Sequence, residues 1–413
     1  MEIAGIRVVA APEATLAFLG FVCAGAALGT ASGLVPGLHA NNFALLLAAV
    51  APSVPGPPVL VGAAMLAAGV VHTFLDVVPA LALGVPDPAM AATALPGHRL
   101  VIEGRGREAL RLSALGSGLA VVLAVPLALP VTAAMARLYP LFRPHLSVLL
   151  TALAVFLVAS EPTLRARAAG AATFLATTGL GLATLDIDPA APVDAGGMLA
   201  PLFAGLFGAP VLIDAARGAG VPRQADATVA VSRRALLVTA LAGTLAGAAV
   251  GYLPAVTSAI AAVVVLATLP AAEGARGFVV ATSGVNTANT VFALFALLAL
   301  GTPRTGVLVA LTEANVPLNL PLFLLAVACA GAVGFLLVPW LGDRYLRAIR
   351  RVSYTRLSLA VLCGLAGLSA LFGGAVGVLA FLASAGLGLV PPRTGARRVH
   401  CMGVLMGPLA LQM

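Results

Sequence analysis

Polar side chains that could bind or carry a cation interrupt an apolar stretch in the first half of the chain. GVVHTFLDVVP, residues 69–79, holds His72, Thr73 and Asp76. His72 and Asp76 are four positions apart, so both would lie on one face of a helix. Ionisable groups inside apolar helices are costly and commonly mark ion pathways. We predict Asp76 as the residue that couples a proton or Na⁺, with His72 and Thr73 beside it; a satisfied interhelical hydrogen bond is the structural alternative.

A second polar patch lies in GVNTANTVF, residues 284–292. When ALGVP at 82–86 is aligned with ALGTP at 299–303, His72 falls on Asn289. We therefore predict that this patch and the first one together form a polar wall around a solute. Its polar residues are Asn286, Thr287, Asn289 and Thr290.

Two glycine- and proline-containing interruptions supply a different chemistry, the binding of an anion. GTASGLVPGLHANN begins at residue 29 and fits G-x3-G-x2-P, and GAAVGYLPAVTS begins at residue 247 with the same pattern. A helix that breaks inside a bilayer survives only where protein buries it or a polar cavity adjoins it. The restarting helix directs free N–H groups and the positive end of its dipole at that cavity. The alternative is a kink capped by the asparagines. The predicted binding residues are Gly33, Pro36, Gly37, His39, Asn41, Asn42, Gly251, Pro254, Thr257 and Ser258.

The composition of the chain indicates whether the helices that carry these groups lie in water or in a membrane. Of 413 residues, 61% are hydrophobic and 9% are charged, and the mean hydropathy is +1.08. Soluble domains carry about 25% charged residues, so this chain cannot cover its surface in water. We predict an all-α integral membrane protein with about 10–14 hydrophobic helical segments, some of them broken or re-entrant. One of these apolar segments is expected near 112–134. The net charge of +8 comes from arginine and sets topology rather than binding nucleic acid.

The two halves of the chain resemble each other. Gly29, Gly33 and Pro36 match Gly247, Gly251 and Pro254, with identical intervals between the three positions. ALGVP at 82–86 matches ALGTP at 299–303, and FLATTGLGL at 174–182 matches FLASAGLGL at 381–389. Repeats of this kind are typical of secondary transporters. We predict a first membrane repeat over 1–215, a cytoplasmic linker over 216–233 and a second repeat over 234–413.

The distribution of arginine predicts the topology of these repeats. Arginines cluster in four segments, which the positive-inside rule assigns to the cytoplasm: 96–111, 215–234, 342–356 and 391–398. An odd number of spans per half then follows, which makes the repeats inverted. Pro303 to Asn315 falls outside in this scheme, as do Arg137 and Arg143. Glu313 would line an external entrance or lie in a solvated loop, and Glu161 is interpreted as a helix cap.

These motifs resemble the large membrane subunit of the tripartite tricarboxylate transporters, the TctA family. The glycine-proline turn carries part of the resemblance, and the stretch 84–118 and the glycine-rich C-terminus from Leu387 carry the rest. The chain differs where His39-Ala40-Asn41-Asn42 follows the turn and where Pro96 precedes Gly97. It looks like a compact, divergent branch, with an archaeal source as one candidate. The matching residues of 84–118 are Ala92, Thr93, Ala94, Leu95, Gly97, Gly104, Ala109 and Leu110.

The resemblance implies a permease, not an enzyme. It would take carboxylates from an extracytoplasmic binding protein, work with a small membrane subunit and be driven by an ion gradient. We expect a multi-pass protein of a prokaryotic cell membrane with a small organic anion as substrate, Na⁺ or H⁺ as coupling ion, and no cofactor or bound metal. A second copy of the chain is a further candidate partner. The rival functions are a lipid-linked phosphate transporter or flippase, a membrane enzyme and a channel.

Overall fold

The computed structural model describes residues 2–3, 6–7, 11–36, 38, 40–84, 94–193, 197–216, 221–226, 228–253, 258, 261, 264–265 and 274–412. Two paired strands of two residues each precede the helices. They are β1 (Glu2–Ile3) and β2 (Ile6–Arg7). The helices of the first half are α1 (Pro12–Gly33), α2 (Ala40–Val50), α3 (Pro58–Leu75), α4 (Val77–Leu83), α5 (Ala94–Ile102), α6 (Gly106–Phe142), α7 (Leu146–Ala159), α8 (Leu164–Thr184), α9 (Leu199–Phe203) and α10 (Ala209–Ala215). A π-helix, Ala204–Gly208, joins α9 to α10, and short 3₁₀ turns cover Ala51–Ser53 and Arg143–His145.

The second half has the same helical character. Its helices are α11 (Arg233–Tyr252), α12 (Gly274–Leu300), α13 (Gly306–Glu313), α14 (Leu320–Ile349), α15 (Tyr354–Gly388), α16 (Val390–Thr394) and α17 (Gly403–Gln412), with a 3₁₀ turn at Arg398–Met402 before α17. Helix α15 is kinked at Gly374, whose φ of 56° only glycine adopts at low cost.

The lengths and composition of these helices make the chain an all-α membrane protein. Among the described residues, seven helical stretches are long and apolar enough to cross a bilayer. In two of them, Pro58–Leu83 and Gly274–Leu300, 78% of the apolar stretch is buried, against 17–44% in the other five. The helices α3–α4 and α12 are therefore the central ones. The seven stretches are Pro12–Gly33, Pro58–Leu83, Gly106–Ala159, Arg233–Tyr252, Gly274–Leu300, Leu320–Ile349 and Thr355–Thr394.

The predicted helix break at the first proline motif is present. Helix α1 ends at Gly33, residues 34–36 form a turn, and α2 begins at Ala40. Helix α2 has 11 residues, so it is about 16 Å long and spans roughly half of a hydrocarbon core of about 30 Å. In the second half, α11 ends at Tyr252, immediately before the second motif. The restart after Pro254 lies mostly outside the described residues.

Glycines hold α1 against α3 with their backbones in contact. A Cβ added to Gly25 or Gly29 would lie 2.1 or 2.3 Å from a carbonyl oxygen of α3, so only glycine fits there. The contacts advance together along both helices, which makes α1 and α3 parallel. The chain between them, including α2, therefore returns to the end of the bundle where α1 begins. The paired residues are Gly25 with Ala64, Gly29 with Ala68 and Gly33 with His72.

The same packing joins α11 to α12. A Cβ on Gly243 would lie 2.6 Å from the oxygen of Ala281, one on Gly247 would lie 2.8 Å from the oxygen of Val285, and Gly251 adjoins Phe292 and Ala293. These three glycines align with Gly25, Gly29 and Gly33 when the two glycine-proline motifs are superimposed. This recurrence is what a duplicated bundle would give, and the inverted orientation of the halves stays a prediction.

A second kind of packing crosses between the halves. Gly403 of α17 lies against the Phe174 carbonyl of α8, and Gly205 lies in the same way against the Phe381 carbonyl of α15. The matched stretches 174–182 and 381–389 thus each pack on the last segment of the opposite half. A Cβ at Gly403 or Gly205 would lie 2.3 or 2.4 Å from these oxygens, so both crossings need glycine.

Three of the four arginine-rich segments meet at one face. Arg107 donates to Asp226 and, at 2.7 Å, to Asp343, which joins 96–111, 215–234 and 342–356. Near them the buried Glu108 accepts from Arg276 at 2.8 Å and from the Ala230 N–H at 3.0 Å. The arginine pattern assigned these segments to one side of the membrane, and their contacts agree with that topology.

The far end of the bundle differs in detail from the sequence prediction. Helix α6 continues to Phe142 instead of ending near residue 134, so Arg137 lies on the helix, about 45 Å from its start. Arg304 donates to the Tyr139 hydroxyl at 2.7 Å, which places the 301–305 loop at this same end. The helix passes through all three of its internal prolines, Pro126, Pro130 and Pro140.

Candidate substrate and ion site

Asp76 lies within the central first-half span, at the junction of α3 and α4. Helix α3 ends at Leu75 and α4 begins at Val77, with Asp76 between them. Its N–H donates to the His72 carbonyl at 2.9 Å, so the helical turn from His72 to Asp76 is closed. Both side chains are almost fully buried. The predicted pair on one helical face is thus present inside the span.

The carboxylate of Asp76 contacts the second polar patch. The Asn286 side-chain amide donates to Asp76 Oδ2 at 2.9 Å. The two residues come from the two most buried spans, α3–α4 and α12. This contact therefore joins the polar patch of the first half to the polar patch of the second half.

His72 is held from α1 and α2. Its Nδ1 lies 2.8 Å from the Ser32 hydroxyl. Its ring stacks on that of Phe43, with 5.9 Å between the ring centroids. A Cβ on Gly33 would lie 3.0 Å from the His72 carbonyl oxygen and 3.3 Å from the Asp76 nitrogen. The broken end of α1 therefore adjoins the predicted ion-coupling pair directly.

Polar side chains follow one face of α12. Ser283, Asn286, Thr287 and Thr290 are spaced at i, i+3, i+4 and i+7, which is one side of a helix. Within the described part of the chain, the buried Oγ1 of Thr287 and the buried Oδ1 of Asn289 have no hydrogen-bond partner. Buried polar atoms are usually satisfied, so the Thr287 hydroxyl is available to donate to a bound solute. The Asn289 oxygen lies two positions further on, toward the other side of α12, and can accept a hydrogen bond or contact a cation.

The remaining predicted residues fall into three groups. Thr73 donates within its own helix to the Val70 carbonyl at 2.8 Å, and Thr290 and Ser258 are buried. Pro36 lies in the turn after α1, and Gly251 packs on α12. Those outside the described residues are Gly37, His39, Pro254 and Thr257, together with the side chains of Asn41 and Asn42.

Two serine contacts were missed by the sequence reasoning. Ser32 contacts His72, and Ser113 on α6 lies 2.8 Å from Ser283, hydroxyl to hydroxyl. Ser32 stands inside the quoted glycine motif, just before Gly33, so its position beside the break was a usable signal. The Ser113–Ser283 pair had no signal, because serine is common between packed membrane helices.

The interpretation of Glu161 as a helix cap was wrong. Thr163 caps α8 by accepting from the Ala166 N–H at 3.1 Å. Glu161 is instead buried, and its Oε1 accepts from Arg397 at 2.9 Å and lies 2.7 Å from His400 Nε2. Burial alone would raise its pKa, but the Arg397 backbone and side-chain donors, with His400, hold the pKa of Glu161 below its ordinary value. Glu161 therefore links the turn before α8 to the segment before α17.

The chemistry of the central site is that of binding and charge compensation. A buried carboxylate is costly in its charged form, which is why such groups in membranes commonly take up H⁺ or Na⁺. Amide and hydroxyl groups on α12 can orient a polar solute next to it. Among the described residues, no group of three or more His, Cys, Asp or Glu side chains could hold a metal ion.

Comparison with known proteins agrees with this membrane architecture. The chain is 24% identical over 401 residues to an uncharacterized protein of Methanocaldococcus jannaschii, a match that covers 95% of this chain and 97% of that protein. No solved structure matches it. The family model described as "Tripartite tricarboxylate transporter TctA family" matches residues 19–403. With nearly its whole length matched, the chain belongs to the TctA family of tripartite tricarboxylate transporters, a family of transporters rather than of enzymes.

Proposed function

We propose that this protein is a secondary-active permease that moves a small organic anion, a di- or tricarboxylate, together with a cation. The observation that carries the proposal is the contact of Asp76 with Asn286 between the two central spans. A transporter needs a site near the middle of the membrane that both halves of the protein contact. The Asp76–Asn286 contact involves both halves and lies within the two most buried spans, which supports the proposal, and family membership supports the transport function.

The cation is proposed to act at Asp76. Its carboxylate is buried inside an apolar span, so an ion or proton that neutralises it lowers the cost of burial. The anion is proposed to lie against the polar face of α12, where the Thr287 hydroxyl has no partner among the described residues and can donate a hydrogen bond to it. The helix breaks after Gly33 and Tyr252 would direct N–H groups toward it.

The same reasoning covers partners and location. Tripartite transporters contain further subunits and a binding protein, so we propose that a small membrane subunit and an extracytoplasmic solute-binding protein work with this chain. The seven long apolar stretches make it a multi-pass membrane protein. A prokaryotic cell membrane is the proposed location.

Uptake into proteoliposomes tests the proposal. Radiolabelled di- and tricarboxylates are offered with Na⁺ and H⁺ gradients imposed separately. We expect one of the two gradients to drive uptake and Asp76→Asn to reduce it to the level of empty liposomes. The matched control is Asp188→Asn, because Asp188 is exposed in the loop after α8.

Binding measurements on the same preparation distinguish carboxylate transport from the rival function, transport of a lipid-linked phosphate. The proposed substrate class would be contradicted if the folded wild-type protein takes up no di- or tricarboxylate and none of these compounds raises its unfolding temperature. Thermal stabilisation by a polyprenyl phosphate in the same preparation would favour the lipid-linked phosphate transporter. Ligand-induced stabilisation is measured on the protein alone, so it does not depend on the other subunits.

A further inference from the structure

A basic pocket of about 250 Å³ lies where α6 begins, α14 ends and the segment 221–226 passes between them. Four guanidinium groups and one carboxylate line it, so it attracts anions. It is formed by the face at which the arginine-rich segments meet, at the opposite end of α6 from Tyr139. The charged residues of this basic pocket are Arg107, Arg223, Asp343, Arg347 and Arg350.

The single carboxylate that lines the basic pocket, Asp343, already forms ion pairs with two arginines. Arg107 Nε lies 2.7 Å from Asp343 Oδ1, and Arg347 Nη2 lies 2.7 Å from Asp343 Oδ2. Within the described residues, Arg223 and Arg350 form no ion pair. Guanidinium groups bind phosphate through two parallel N–H donors. Two guanidiniums with no acidic partner in the described part of the chain thus line the pocket.

The walls of the basic pocket are fixed by hydrogen bonds. Gln224 accepts from the Gly106 N–H at 2.6 Å and donates to the Val101 carbonyl at 3.0 Å. Beside it, the Ala225 N–H donates to the Gly104 carbonyl at 2.8 Å. These bonds attach the segment between the two halves to the start of α6. Arg223 is therefore presented by a held backbone rather than by a free loop.

The course of α14 places the basic pocket at the depth of lipid headgroups. Leu336 is exposed on the apolar part of this helix, and Trp340, the single tryptophan of the chain, is 53% exposed one turn later. Arg344 lies over the Trp340 ring at 3.8 Å. Tryptophan concentrates at the membrane–water interface, and Arg347 follows about 10 Å further along the helix. The pocket thus adjoins the phosphate layer.

We propose that the basic pocket binds the phosphate group of an anionic phospholipid of the adjoining leaflet. The volume is below the range of about 300–1,000 Å³ that encloses a drug-sized ligand, so it suits a headgroup phosphate. Basic pockets at helix ends on the cytoplasmic side are suited to such headgroups. The bound phosphate bridges α6, the segment 221–226 and α14, and so fastens the segment between the halves to both of them. This role is independent of the transported anion.

Native mass spectrometry of the delipidated protein in detergent tests the proposal, with phosphatidylglycerol and phosphatidylcholine as probes. We expect the wild type to prefer phosphatidylglycerol. The double variant Arg223→Gln/Arg350→Gln should lose about 30-fold of that affinity, since two basic contacts at a membrane surface are removed. Arg393→Gln is the matched control, an exposed arginine on a different segment.

Each outcome decides the proposal. An unchanged preference for phosphatidylglycerol in the double variant overturns it. Competition by millimolar inorganic phosphate that displaces the lipid completely also overturns it, because the site would then serve a soluble phosphate. Lipid binding restored by Arg223→Lys/Arg350→Lys supports it. Equal unfolding temperatures of wild type and double variant without lipid show that the fold is intact.

Discussion

The helix pairs α1–α3 and α11–α12 have the same packing and different chemistry. In each pair, three glycines at intervals of one helical turn bring one helix onto the backbone of the other. His72 on α3, and Asp76 directly after α3, lie beside the last of the three glycine contacts with α1. At the equivalent positions of the second pair lie Asn289 and Ala293. The helix contacts are retained in both halves, and the ionisable groups occur in one.

The difference bears on the proposed cation site. Because Ala293 replaces the acid, the second pair cannot supply its own carboxylate. It contributes Asn286, whose amide donates to Asp76. The cation site proposed above is therefore shared between the halves, with charge from one and a neutral donor from the other.

The crosswise packing differs in the same way. Gly170 of α8 faces His400, and Gly377, its equivalent when 174–182 is aligned with 381–389, faces Pro201. Only the first crossing carries the buried Glu161–His400 contact. In both comparisons the glycines recur and the titratable residues do not.

The largest expected effect on stability comes from disrupting the glycine contacts of either helix pair. Gly29→Val and Gly247→Val each push side-chain atoms into a backbone carbonyl. We expect each to lower the free energy of unfolding by about 3 kcal/mol or more. The measurement is thermal unfolding in detergent. If the pairs are equivalent, the two losses agree. Gly20→Ala is the control, since nothing lies within 4 Å of its Cβ position. A tolerated Gly29→Val would contradict the close approach of α1 and α3.

A double-mutant cycle on Asp76 and Asn286 probes the contact between the halves. Asn286→Ala leaves a buried carboxylate oxygen without its amide donor and should cost about 1–3 kcal/mol. We expect Asp76→Ala and Asn286→Ala to be non-additive by about 0.5–3 kcal/mol, because each removes the contact. Unfolding free energies of both single variants and the double variant give the coupling. Strict additivity would show that the two residues do not interact.

The smallest expected effect concerns Glu161. Its folded-state pKa lies below the ordinary value of 4.5, so its contribution is present above pH 4.5 and is lost as pH falls through the folded pKa. Glu161→Gln should lower stability by about 1–2 kcal/mol at pH 7. That difference should shrink as pH falls below 4.5. Unfolding temperatures across pH 3–8 check it, with the exposed Glu313→Gln as control. A difference independent of pH would contradict the ionised contact.

The class, the helix breaks and the polar patches could be predicted from the sequence because each has a local cause. Apolar composition predicts membrane helices, and Pro36 between Gly33 and Gly37 favours a helix break in the first motif. The partner of Asp76 could not be predicted. It lies on a helix of the other half, and several amides and hydroxyls of α12 were equally good candidates.

Two errors show where local reasoning fails. The apolar segment of α6 was predicted to end near residue 134, but the helix continues through its prolines to Phe142, because neighbouring helices in a membrane can support a proline-containing helix. Glu161 stands before a helix, where acidic residues often cap. Its partners, Arg397 and His400, come from the other end of the chain, and no local pattern reveals a contact at that separation.

The most direct test of a shared cation site is the dependence of anion affinity on Na⁺ concentration and pH, in wild type and Asp76→Asn. Binding of labelled carboxylates to the purified protein is measured at equilibrium. If the cation and the anion are linked through Asp76, the wild-type affinity changes by about 5–150-fold across the cation series. The affinity of Asp76→Asn should not change across the same series. An Asp76→Asn protein that keeps the wild-type cation dependence would contradict the account.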